Sequence, residues 1–151
     1  MKITKCIFIV VCLFVLLSGC DKNAISVVPV SGTVVYQGQG VEKAVVVFIP
    51  ADDSTSDRSA SATTNSQGEF VLETLTATKS GAMIGNYVVV IDKSVPIDTS
   101  GKILTDEELI NLQSPPKMKN ILPKKYADRS TTPLKVEITK NKNIFQFELT
   151  D

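Results

Sequence analysis

The sequence contains no histidine and no tryptophan. Without imidazole there is no Ser-His or Cys-His pair for nucleophilic catalysis, and no imidazole ligand for a metal. Cysteine is scarce as well. Cys6 and Cys12 fall inside the first apolar run, and Cys20 follows it. From residue 21 onward there is no thiol, so no disulfide staples the fold and its stability has to come from a core. An excess of charge of either sign is also missing. The 151 residues carry 16 basic and 16 acidic side chains, and without Lys2 and Lys5 the balance is 14 to 16, a net charge of −2. Nucleic-acid binders normally carry a basic excess, so nucleic acid is not expected as a partner.

What is present starts with an address. Lys2 and Lys5 precede an unbroken apolar run from Ile7 to Leu17. That run is too short to span a bilayer as a helix and suits a signal-peptide core. It ends in Leu17-Ser18-Gly19-Cys20, which resembles a bacterial lipobox: a leucine, two small residues, then the cysteine. The resemblance implies cleavage between Gly19 and Cys20, a diacylglyceryl group (palmitate-type chains) on the Cys20 sulfur, and N-acylation afterwards. The expected organisation is a lipoprotein signal peptide over 1–19, a lipidated leader over 20–27, and one domain over 28–151. Eight extended residues reach at most ~29 Å, so the domain would sit close to the membrane of the cell envelope.

The domain alternates with a period of two. The run 28–36 places Val28, Val30, Val34 and Tyr36 on one face with Gly32 between them, and after Gly38 and Gly40 a second run extends to Pro50. These read as an opening pair of strands around a glycine-marked turn. Ala44, Val46 and Phe48 form one face of the second run, while Val45, Val47 and Ile49 make its other face apolar, which favours a mid-sheet position. Further strands follow over 58–64, 69–73, 87–91, 134–139 and 144–149. The inward set includes Phe70, Leu72, Tyr87, Val89, Val136, Phe145 and Phe147. Asn65-Ser66-Gln67-Gly68 has turn chemistry. Seven mostly alternating strands predict an all-β fold, a seven-stranded antiparallel β-sandwich.

The exception is an insert over 93–133, too long for an ordinary loop. Thr105-Asp106-Glu107-Glu108 has the capping-box pattern, which predicts one short helix from Asp106 to Leu112, ended by Ser114-Pro115-Pro116. Beyond it, Lys124, Lys125, Tyr126 and Arg129 form a basic cluster, the candidate partner contact, against the alternative that Leu122 and Tyr126 plug the end of the sandwich. Long connections are commonly functional, so any specific partner site is expected in this insert.

Other chemistry is thin. Asp52, Asp53 and Asp57 offer oxygens in one loop but lack the glycine and the final glutamate of an EF-hand. No spacing singles out a Ser/Lys or paired-carboxylate site. A sugar platform wants exposed aromatics, and every aromatic of the domain except Tyr126 falls on the inward phase of a strand.

Several motifs, in order, resemble the carboxypeptidase regulatory-like domains: Val30-Ser31-Gly32-Thr33-Val34 with Gly40-Val41 and Ala44-Val45-Val46-Val47-Phe48, then Ala62-Thr63-Thr64-Asn65-Ser66-Gln67-Gly68-Glu69-Phe70, then Gly85-Asn86-Tyr87-Val88-Val89. Leu122-Pro123-Lys124-Lys125-Tyr126 through Thr132-Pro133-Leu134 resembles a segment of small bacterial lipoproteins of this type. Asn65 stands where such turns usually carry aspartate, and Glu42 where proline or glycine is common. The resemblance implies a prealbumin-like (transthyretin-like, Ig-like) sandwich and no activity of its own. Prealbumin-like folds include a hydrolase of a urate-pathway intermediate and a ring-cleaving iron dioxygenase, and both depend on histidine, which this chain lacks. The expectation is therefore a lipid-anchored, non-catalytic envelope module without metal or cofactor, which binds an envelope protein or polysaccharide or acts by structural presence. The alternative is a carbohydrate- or small-ligand-binding module of the same fold.

Overall fold

The computed structural model describes residues 26–52, 58–74 and 80–151. The expected signal peptide and cleavage site, Cys20, and the loop residues Asp53 and Asp57 lie outside the described residues. The strands are β1 (Val30–Tyr36), β2 (Gln39–Gly40), β3 (Val45–Pro50), β4 (Ala60–Thr63), β5 (Glu69–Val71), β6 (Glu73–Thr74), β7 (Gly85–Asp92), β8 (Ser94–Ile97), β9 (Lys117–Asn120), β10 (Lys135–Ile138) and β11 (Asn143–Leu149). A helix, α1 (Asp106–Ile110), precedes β9, and a 3-10 turn (Lys124–Ala127) follows it.

The architecture is an all-β sandwich. In the smaller sheet β1 is central, with β11 along one edge and β5 and β2 in succession along the other. The larger sheet runs β10-β7-β3-β4-β6, so β3, apolar on both faces, does lie in mid-sheet. Alternation buries Val30 and Val34 of β1, Val46 and Phe48 of β3, Tyr87, Val89 and Ile91 of β7, and Phe147 and Leu149 of β11. Phe48 is fully buried at the centre, and the rings of Phe70, Tyr87, Phe145 and Phe147 surround it with centroids 5.9–6.3 Å away. Phe70 stacks on Phe147 with 6° between the planes. Gly32 leaves room for this layer: a Cβ there would run into the Phe70 ring and the Phe145 carbonyl.

Two pairings differ from the sequence reading. The opening strands are not partners. β1 turns through Gln37 and Gly38, both at positive φ, and pairs only with the two residues of β2. At Gly40 the chain meets the Gln67 carbonyl, because β5 arrives along the same edge of β1. Val41–Ala44 then carries it into the other sheet, held by Thr64, whose hydroxyl accepts from the Ala44 amide (2.8 Å) and donates to the Val41 carbonyl. The second departure is that β1 and β11 run parallel, from Val30 beside Asn143 to Tyr36 beside Leu149. These are the first and last strands among the described residues. No hairpin joins them, so no tight turn imposes the antiparallel direction. The other pairings of named strands are antiparallel.

The turn before β5 works with asparagine. The Asn65 side-chain carbonyl accepts from the amides of Gln67 (3.0 Å) and Glu69 (2.9 Å), as an aspartate would. Gly68 closes the turn at φ +79°, with its carbonyl on the Val34 amide.

The strand directions give the domain two poles. The described chain enters beside the start of β1, where Val28 bridges Ala82, near the β10–β11 turn. Tyr36, at the far end of β1, lies roughly 20 Å away at strand rise. There Tyr36, Gln39, Val41, Lys93, Ile121 and Leu122 line one shallow concavity, so the insert leaves and returns at the pole opposite the entry.

Phe48→Ala should cost ~3–5 kcal/mol, because it leaves a cavity at the meeting point of four rings. Phe145→Ala, at a half-buried ring, should cost clearly less. Urea unfolding of the two variants checks the order, and equal losses would contradict the central place of Phe48.

Candidate functional site

The insert divides into two parts. Its return, from Leu122 to Thr132, belongs to the body of the domain: Leu122, Tyr126 and Thr132 are buried, and the Thr132 hydroxyl donates to the Val89 carbonyl (2.8 Å). The earlier part is an arm. No residue from 92 to 121 is buried.

The arm has its own local order. β8 and β9 pair as an antiparallel ribbon, with Val95 opposite Lys119 and Ile97 opposite Lys117. Ile103 bridges Ile97, and the Leu104 amide donates to the Pro96 carbonyl, which lays a third segment along the free edge of β8. Between them Asp98 closes a turn, its Oδ1 accepting from the amides of Ser100 (2.8 Å) and Lys102 (2.9 Å). The capping box forms as the sequence predicts: the Thr105 hydroxyl accepts from the Glu108 amide (3.3 Å), and a Glu108 oxygen accepts from the Thr105 amide (2.8 Å). Lys102 Nζ holds the other Glu108 oxygen at 2.8 Å. The helix stops at Ile110, shorter than the predicted Asp106–Leu112, because the Asn111 side chain takes the Glu107 carbonyl (3.0 Å) and caps the last turn.

These polar contacts fix the backbone of the arm but leave its apolar side chains outside. Ile110 is 82% exposed and Met118 59%, and Ile103, Leu112 and Ile121 are exposed as well. Lys117 and Lys119 stand on the ribbon face that carries Val95 and Ile97. Such a surface suits a partner with an apolar contact bordered by polar or acidic groups.

The basic cluster 124–129 is placed differently. Tyr126 is buried, and its hydroxyl accepts from the Thr150 amide (3.0 Å). Burial pushes this phenol up, but the hydrogen bonds from Thr150 and the nearby Lys125 ammonium outweigh it, and the net shift is downward. Lys125 lies over the Tyr126 ring and donates to the Asp151 carbonyl (2.9 Å). Arg129 donates to the Pro50 carbonyl (3.1 Å). Lys124 is exposed. Lys125, Tyr126 and Arg129 thus tie this turn to residues 150–151 and to Pro50 of the sandwich.

Of the acidic loop, Asp52 is described, and it pairs with Arg58 at 3.4 Å. Among the described residues no three His, Cys, Asp or Glu side chains converge as a metal site, and no helix is long and apolar enough to cross a membrane. Every described aromatic is buried or half-buried, Tyr126 included. No protein-family model matches the chain, and neither does any curated protein.

Tyr126→Phe should destabilise the domain by ~1 kcal/mol through loss of the bond to the Thr150 amide, whereas Lys124→Ala should leave stability within ~0.5 kcal/mol; thermal unfolding of the two variants checks this.

The arm should also loosen in acid before the sandwich does. The Ser100 and Lys102 contacts hold Asp98, and Lys102 and Thr105 hold Glu108, below the usual carboxylate range. A depressed folded-state pKa means that the contribution is present above the unfolded value and is lost as pH falls through the folded one. Amide exchange at Ser100, Lys102 and Thr105, corrected for intrinsic rates, should therefore lose protection from about pH 4 downward while β3 and β7 keep theirs.

Proposed function

We propose that this protein is a lipid-anchored, non-catalytic β-sandwich of the bacterial cell envelope, acylated on Cys20, which works as a binding module through its arm. The proposed sandwich type is the carboxypeptidase regulatory-like one, on the motifs quoted above. The observation that carries this reading is the polarity of the domain. The chain enters at one pole, and the arm with its exposed Ile110 and Met118 leaves from the other. A tether at the entry pole holds the arm away from the membrane surface, where a protein or polysaccharide of the envelope can reach it. Lys125, Tyr126 and Arg129 are engaged with Asp151, Thr150 and Pro50 of the sandwich, so the proposed contact is placed on the arm in preference to this cluster. A sugar-binding module of the same fold would have to rely on polar groups alone, since no described aromatic is exposed as a stacking face.

Two variants test the reading. Cys20→Ser should accumulate as an uncleaved or mislocalised precursor, and unchanged processing and membrane fractionation would refute the anchor. Replacing residues 97–119 by a short Gly/Ser linker should change stability by less than ~1 kcal/mol, because the arm contributes nothing to the core. The same replacement should abolish the crosslinks that a photoreactive residue at position 121, exposed and outside the replaced segment, forms in intact cells. A shortened chain that aggregates would mark the arm as a cover for the sheet edge instead.

A further inference from the structure

The smaller sheet has an outward face whose chemistry changes along its length. Three rows of residues cross β5 or β2, β1 and β11 in turn. The row nearest the entry pole is Val71, Ser31 and Ile144. The next is Glu69, Thr33 and Gln146, and the last is Gly40, Val35 and Glu148. Val71 and Ile144 are 58% and 57% exposed. With the exposed Pro29 and the turn residue Lys142 they line one shallow concavity beside the point where the chain enters. Lys140 is exposed in the same turn. The carboxylates of this face, Glu69 and Glu148, stand one and two rows further off, roughly 7 and 13 Å along the strands. Glu73, two residues beyond Val71, has already turned into the other sheet as part of β6.

From this gradient we infer that the patch of Pro29, Val71 and Ile144, with Lys140 and Lys142 beside it, is the seat on which the domain rests against an anionic phospholipid bilayer. The inference rests on the anchored reading above. Three features converge on a lipid surface. The chain that leads to Cys20 arrives at this corner, and the expected leader is short. The apolar side chains are bordered by lysines, which suit acidic headgroups. Acidic groups on the same face are kept in the rows that a seated domain lifts away from the membrane. A patch of this size would hold a free domain only weakly. A tethered domain is different, because a short linker keeps it at an effective concentration in the millimolar range, so a weak contact is enough to set its orientation. The arm then points away from the bilayer by construction.

The test uses the mature protein, purified from membranes and reconstituted into phosphatidylethanolamine vesicles containing phosphatidylglycerol. With Cys20 acylated, the mature chain has no free thiol. Ile144→Cys, Val71→Cys and Ile110→Cys therefore each give a single site for an environment-sensitive fluorophore. Spin-labelled lipid should quench the labels at 144 and 71 several-fold more than the label at 110, and Lys140→Glu with Lys142→Glu should remove most of that difference. Equal quenching at 144 and 110, or contact between labels of two copies in place of lipid quenching, would overturn the seat. The acyl mass on Cys20 is read on the same sample. A chain without it refutes the anchor and the seat together, whereas an acylated chain with no quenching at 144 and 71 refutes the seat alone.

Discussion

The structure depends on one contact layer, the rings around Phe48. Phe48 comes from the middle of the larger sheet, Phe70 and the pair Phe145 and Phe147 from the smaller, and Tyr87 from the strand beside Phe48. Each ring reaches this layer because its strand alternates with a period of two, and Gly32 gives up a side chain so that Phe70 can fit. With no disulfide available to the domain, this layer and the valines around it have to supply the stability themselves. Tyr87 shows how a polar atom is admitted at the edge of the layer. Its hydroxyl donates to the Met83 carbonyl (3.0 Å), and burial pushes its pKa up.

The strand phases were legible in the sequence because each is a local property. Val34, Val46, Phe70 and Phe147 face inward as their spacing says, and Val71 faces out between Phe70 and Leu72. The capping box of α1 was legible for the same reason: its donors and acceptors lie within four residues. Which strand pairs with which was less so. The break between β1 and β3 depends on the approach of Gln67 to Gly40, and the parallel pairing of β1 with β11 depends on contacts that no turn specifies. The run 69–73 reads as one strand but serves both sheets, changing over at the buried Leu72.

The candidate contact residues were harder still. Lysine-rich sequence around a tyrosine looks the same whether it faces a partner or clamps the chain's own C-terminus. The difference lies in Thr150 and Asp151, more than twenty residues away. The apolar residues of the insert posed the opposite problem. Leu122 and Ile110 are alike in composition, yet one is buried and the other exposed, because only the return of the insert passes over the sandwich. Leu109 and Ile110 are adjacent on a helix of five residues with no buried side chain. So short a helix gains nothing from a core and is held by its caps alone, so the arm is expected to open independently of the sandwich.

The parallel pairing of β1 with β11 also governs when the domain can exist at all. Val30 and Asn143 are more than a hundred residues apart in sequence, and β1 is the central strand of the smaller sheet. Closing so distant a contact is slow, and it cannot begin before the last strand has been synthesised. The smaller sheet therefore stays incomplete until the end of synthesis. If the N-terminal segment directs export as the sequence suggests, the polypeptide reaches the membrane before this sheet has closed. Folding then completes on the far side, once the final residues have joined the first.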